Sequence, residues 1–190
     1  ANGVTGLSNL GLTGQSVAVT GVAYDLASAT LAATTLDLGN VRLGQGSTLA
    51  VTNAAITDPA FQDSLDVVAA SANGKLTLAA PGNILASASG NVGVTANTAG
   101  SLAGTVTLGL TSNANGVVGL DNTALAGQSF AVTGAAFDYA TATAASTLAF
   151  GNVRVAAGTT ARNLAVTNTV TTSAAFQDSL DVTAAAALHT

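Results

Sequence analysis

Apolar residues recur at every second position in short runs along the chain: Val17 and Val19, Leu49 and Val51, Leu76 and Leu78, Val92 and Val94, and Val106, Leu108 and Leu110. Small or polar residues fill the places between them. Successive side chains of a strand point to opposite faces, so this period predicts strands with one buried face. Helical spacing is not sustained outside Ala-rich patches, and the chain reads as all-β. Asn73-Gly74 predicts a two-residue hairpin, and Pro81-Gly82, Gly90 and Gly100 mark further turns.

The pattern occurs twice. ANGVTGL at Ala1 returns as ANGVVGL at Ala114, and GQSVAVTGVAYD at Gly14 returns as GQSFAVTGAAFD at Gly127, both at an offset of 113. LDLGNVRL at Leu36 matches LAFGNVRV at Leu148 at 112, and LAVTN at Leu49 recurs at Leu164 at 115. The drift places the length changes between patterned runs, where loops accept them. A repeat of roughly 113 residues with about seven short strands has the size of an immunoglobulin-like sandwich, far above a solenoid repeat. Gly21 and Gly134, each after an AVT triplet, predict a bulge or bend where a strand leaves one unit for the next.

Charge changes the picture of the surface. The 190 residues carry four basic side chains (Arg42, Lys75, Arg154, Arg162), nine Asp and no Glu, so 7% are charged, against about 25% in an average globular protein. Few charges remain to discourage strand edges from pairing with a neighbour, which points to self-association. The acidic balance argues against nucleic acid, whose phosphates need a basic footprint. There is no Cys, so packing and sheet hydrogen bonds must hold the fold. No run of about 18 apolar residues suggests a membrane-spanning segment, and ANGVTGL lacks the layout of a signal peptide.

LDLGNVRLGQ followed by a strand ending in VTN, then GNVGVTANTAGSLAGTVTLGLTSN, then GQSFAVTGAAF, resembles the bacterial choice-of-anchor D repeats, modules similar to the wider ASH-like group of immunoglobulin-type sandwiches. The resemblance covers nearly the whole chain and implies tandem all-β modules that open at the GNV segment. It implies closing strands of a preceding module in residues 1–26, a complete module in 27–138, and the opening half of a following one in 139–190. Asn83 and Ile84 after Pro81-Gly82 depart from the family's short polar stretch.

A half sandwich would leave Phe150, Val153, Leu164, Val166, Phe176 and Leu180 in water unless something covers them. Either the polypeptide continues as a longer array, the preferred expectation, or another subunit adds the missing strands.

FQDSLDV, at Phe61–Val67 and again at Phe176–Val182, carries Asp63, Asp66, Asp178 and Asp181. A calcium site needs six to eight oxygens, and the EF-hand spacing is absent. The expectation is that Phe61 and Leu65 are core positions and the aspartates are edge or loop charges. Asp25 and Asp138, just after closing strands, are expected to cap turns rather than to bridge modules through cations. Arg42 and Arg154 both follow GNV, which points to a shared partner, an aspartate of the same module. His189 is the only histidine and makes no metal site by itself. No nucleophile-elbow, dinucleotide or P-loop motif occurs. The aromatics Tyr24, Tyr139, Phe61, Phe130, Phe137, Phe150 and Phe176 stand mostly at patterned core positions, with no Trp to form a sugar platform.

No catalytic, cofactor-binding or metal-binding residue is assigned, and no cofactor is implied. The expectation is a non-enzymatic structural protein of the bacterial cell surface or an extracellular filament, whose tandem modules join head to tail and whose partner is itself. The alternative is an adhesin or glycan-binding stalk segment of a longer secreted protein, with a cell-surface glycan as partner.

Overall fold

A computed structural model describes residues 3–6, 8, 10–154 and 161–183. The chain is all-β. Its main body is two facing sheets, and the alternation read from the sequence is what lets them face each other. In β3 (Gly46–Asn53) the buried positions are Leu49, Val51 and Asn53; in β7 (Ser89–Ala96) they are Val92, Val94 and Ala96. Both strands belong to a four-stranded sheet of order β1-β3-β7-β5, with β1 at Ala29–Leu31 and β5 at Leu76–Ala79.

The second sheet has the order β2-β10-β9-β4-β6, built from β2 (Thr35–Arg42), β4 (Ser64–Ser71), β6 (Gly82–Ile84), β9 (Gly104–Asn113) and the 15-residue β10 (Thr123–Phe137); β8 (Gly100–Ser101) pairs with β10 beside this path. Val106, Leu108 and Leu110 of β9 and Phe130 and Val132 of β10 meet Leu49, Val51, Val92 and Val94 in one core. The entering chain switches sheets, since β1 pairs antiparallel with β3 while β2 runs parallel to β10. Two packed sheets with this strand plan are an immunoglobulin-like β-sandwich. Beyond Phe137, β11 (Ala142–Ala144) and β12 (Val166–Asn168) form a separate two-stranded ladder.

Three expectations are corrected. Asn73-Gly74 does not close a hairpin, because β4 lies in one sheet and β5 in the other. Asn73 instead shapes the crossing: its Oδ1 accepts the Lys75 N–H at 3.0 Å and its amide donates to the Ala103 carbonyl at 3.2 Å. Val17 and Val19 have the period of a strand but no sheet partner among the described residues, and they are 86% and 91% exposed. Phe61 is not a core residue: it is 43% exposed, while Leu65 is fully buried as expected.

Gly134 does mark a bulge. The register of β10 against β2 shifts between Thr133 and Ala135. Gly134 has φ +128°, and a Cβ there would stand 2.5 Å from the Gly39 carbonyl oxygen, so only glycine allows the two backbones this close. Gly21, its counterpart in the sequence, has open space around it. Among the described residues no helix is long and apolar enough to cross a membrane. His189 lies outside the described residues.

Candidate functional site

The inward period of two strands does not end in an apolar residue. After Leu49 and Val51 comes Asn53, and after Val106, Leu108 and Leu110 comes Ser112, both with no exposed surface. Buried polar groups must find partners. Asn53 and Ser112 find them in the FQD segment and in the chain that enters the sandwich.

Asn53 accepts the Ser28 N–H at 2.9 Å and donates to the Asp63 carbonyl at 2.9 Å and the Ile84 carbonyl at 3.3 Å. Gln62 donates to Asn53 Oδ1 at 3.2 Å and to the Ala54 carbonyl at 2.8 Å, and accepts the Ile56 N–H at 3.0 Å. The Ser112 hydroxyl takes the Ala27 N–H and donates to Asp63 Oδ2, each at 2.8 Å. The incoming chain is stitched on by two backbone bonds, Asp25 N–H to the Phe61 carbonyl at 2.8 Å and Asp63 N–H to the Asp25 carbonyl at 2.9 Å. Tyr24 meets Phe61 edge to face, with ring centroids 5.8 Å apart.

The same joint is built again after β10. Asn168 accepts the Thr141 N–H at 2.9 Å and donates to the Asp178 carbonyl at 2.8 Å. Gln177 donates to Asn168 Oδ1 at 3.1 Å and to the Thr169 carbonyl at 2.8 Å, and accepts the Thr171 N–H at 3.3 Å. Asp138 N–H meets the Phe176 carbonyl and Asp178 N–H meets the Asp138 carbonyl, both at 2.9 Å. Phe137 replaces Tyr24 against Phe176, at 5.9 Å. Even the short 3-10 turns recur, Pro59–Phe61 capped by Asp58 and Ala174–Phe176 capped by Ser173.

Only the second joint shows what crosses it. Arg42, the last residue of β2, reaches Asp178 with Nη2 to Oδ2 at 2.6 Å, and its guanidinium carbon sits 4.9 Å from the centre of the Tyr139 ring. This is the one ion pair among the described residues. Arg42 therefore pairs with an aspartate beyond β10, and the expectation of a partner within its own module is corrected.

The expected roles of several acidic residues change as well. Asp63 is buried and hydrogen-bonded, not an edge charge, because it must satisfy Ser112 from inside the sandwich. Asp25 and Asp138 act through their backbones, in parallel bridges to Gln62 and Gln177, rather than as side-chain turn caps. Asp66 accepts from the amides of Asn83 and Asn113, each at 2.7 Å, tying β4 to both neighbours. Asp181 is exposed. Of the aromatics, Phe130 is in the core, while Tyr139 and Phe150 are exposed.

At the opposite end of β2, Asp37 Oδ1 accepts the Gly39 N–H at 3.0 Å and the Thr133 hydroxyl at 2.8 Å. The backbone bond first, and the hydroxyl second, hold this carboxyl below its ordinary range.

No group of three or more His, Cys, Asp or Glu that could hold a metal ion is present among the described residues. The contacts described at the two joints are hydrogen bonds among amides, carbonyls, a hydroxyl and a carboxylate, paired aromatic rings and one guanidinium–carboxylate pair. Asn53, Gln62 and Ser112 were not singled out by sequence reasoning. The signal was available, since a polar residue stands in the inward phase at the end of two apolar strands, and VTN and FQD recur with the same offset of 115.

No family model matches the chain, and no curated protein matches it. Solved structures do. The chain is similar to WR4, a C. elegans MSP family member, with a TM-score of 0.42 and 12% identity over 57% of this chain and 99% of that one. It is similar to the ASH/PapD-like domain 7 of human CEP192, with a TM-score of 0.43 and 9% identity over 69% of this chain and 99% of that one. A third similarity is to SSP-19, an MSP-domain protein like family member of Caenorhabditis elegans, with a TM-score of 0.38 and 16% identity over 51% and 92% of the two chains.

Proposed function

We propose that the chain is a non-enzymatic structural protein of the bacterial cell surface or an extracellular filament, made of tandem immunoglobulin-like modules that join head to tail. In this reading residues 1–26 close one module, 27–138 form a complete one and 139–190 open the next. The observation that supports it is the joint after β10. That strand ends at Phe137, Asp138 already bridges to Gln177, and Thr141 is already bonded to Asn168, so no free linker separates the sandwich from the β11–β12 ladder. A flexible tether would look different, with Gly and Ser residues and no bonds of its own.

Two measurements test this reading. The chain lacks Cys, so spin labels at Thr107→Cys and Thr172→Cys report one distance by double electron-electron resonance. A narrow distribution that broadens in Arg42→Gln is expected; a broad one in the parent chain would mean a hinged string of domains. Antibody against the sandwich should label intact cells of the source bacterium. Labelling only after permeabilisation would remove the surface assignment.

A further inference from the structure

The structure contains an internal template for a contact it does not itself complete. β10 lies parallel to β2, with Ala131 opposite Thr35, Val132 opposite Leu36 and, after the bulge, Phe137 opposite Arg42. The sequence repeats both strands. Residues 17–24 are the counterpart of the last part of β10, residues 130–137, and residues 147–154 the counterpart of β2. Neither has a sheet partner among the described residues. Their apolar positions, Val17, Val19 and Val22 on one segment and Leu148, Phe150 and Val153 on the other, are all exposed. The second segment is already shaped for pairing, since Gly151 has φ +67° where Gly39, its counterpart at the bulge, has +61°.

The first joint is likewise incomplete in one respect. Asp63 is 6% exposed, and its Oδ1 has no hydrogen-bond partner among the described residues. A buried carboxylate oxygen in that condition is costly. Asp63 and Tyr24 line a groove of about 520 Å³. Their counterparts, Asp178 and Phe137, line the second groove, which holds Arg42. At the second joint a guanidinium reaches Asp178, although Asp138 Oδ2 is buried there without a partner as well; at the first, the groove and the Asp63 carboxylate are there, and no arginine among the described residues reaches them.

We propose that this groove and the strand beside it receive a second copy of the chain. Residues 18–24 of one copy pair in parallel with residues 147–154 of the other, in the register of β10 on β2: Ala18 opposite Thr147, Val19 opposite Leu148, Tyr24 opposite Arg154. That register brings Arg154 to the groove lined by Asp63, to pair with its carboxylate as Arg42 pairs with Asp178. The contact joins unlike surfaces of the two copies, so it does not close on itself and propagates head to tail. It rests on the head-to-tail reading above and names its partner, register and charge pair.

The register is tested by disulfide trapping in the full chain. A mixture of Ala18→Cys and Thr147→Cys proteins should form a covalent dimer under mild oxidation. Val19→Cys with Thr147→Cys should not, because its side chain faces the other side of the sheet. Equal trapping by both pairs, or by neither, overturns the register. Sedimentation velocity tests the charge pair. The parent chain should associate with rising concentration, Arg154→Gln should weaken association about three- to tenfold, as expected for an ion pair reinforced by a ring contact, and Arg162→Gln, which removes the same charge, should leave it unchanged. An Arg154→Gln protein that associates like the parent overturns the clamp. A parent chain that stays a single species at every concentration overturns the pairing altogether, and the narrow label distance across the second joint would still stand.

Discussion

The Gln62 carboxamide donates to Asn53 Oδ1 at 3.2 Å, and Gln177 makes the same bond to Asn168 at 3.1 Å. In each case one asparagine holds the incoming strand and the FQD turn together, and at the first joint Asn53 makes four bonds to four different residues.

Asn53→Ala should therefore be among the most damaging single changes. It orphans the Ser28 N–H, the Asp63 and Ile84 carbonyls and one Gln62 amide proton in a site with no exposed surface. A loss of about 3 to 4 kcal/mol is expected in urea unfolding. A change under about 1 kcal/mol would mean that water replaces the asparagine freely.

Phe61→Ala should cost about 1 to 2 kcal/mol, below the roughly 3 to 5 kcal/mol of a fully buried aromatic. The ring is 43% exposed and its main contact is the edge of Tyr24. Thermal melts of Phe61→Ala and Tyr24→Ala check this; a double mutant no worse than either single would show that the two rings act as one unit.

Gly134→Ala should cost about 3 kcal/mol or more, because the new Cβ meets the Gly39 carbonyl and the backbone is at positive φ. Gly21→Ala, in open space within one copy, should change the melt of the dilute, unassociated chain by less than about 0.5 kcal/mol. Equal effects at the two sites in that dilute chain would show that residues 18–24 are paired within one copy as β10 is.

Asp37 gives a pH signature. Its folded carboxyl is held below the ordinary 3.8, first by the Gly39 N–H and then by the Thr133 hydroxyl. A lowered folded value stabilises the protein above the unfolded value, and that stability is lost as pH falls through the folded one. The stability gap between the parent and Asp37→Asn should be constant above about pH 5 and close only under strongly acidic conditions. A gap that opens as pH falls would reverse the assignment.

The alternation of Leu49 and Val51 and of Val106, Leu108 and Leu110 is enough to give buried strand faces, because that period is set by local geometry. Which sheet each strand joins is not legible. Asn73-Gly74 has the chemistry of a tight turn, yet β4 and β5 must cross between sheets to cover the core from both sides. Val17 and Val19 have a strand's period without a partner among the described residues, since period describes a face and not what covers it. The joint is half legible. FQDSLDV advertises itself by recurring, but Asp63 reads as a surface charge because its partner Ser112 lies 49 positions away. A still longer separation in sequence hides the partner of Arg42, an aspartate that lies beyond β10.

The parallel pairing of β2 with β10 has a mechanical consequence. The chain enters the sandwich just before β1 and leaves it at the end of β10. Tension between these points drags β2 backwards and β10 forwards along their common axis. The hydrogen bonds of that ladder lie across the pull, over the span from Ala131 opposite Thr35 to Phe137 opposite Arg42. They must yield together in shear, whereas an antiparallel hairpin pulled from its open end unzips one bond at a time. Arg42, at the end of that ladder, also grips Asp178, so the bond to the chain beyond β10 is anchored on the ladder that is loaded in shear.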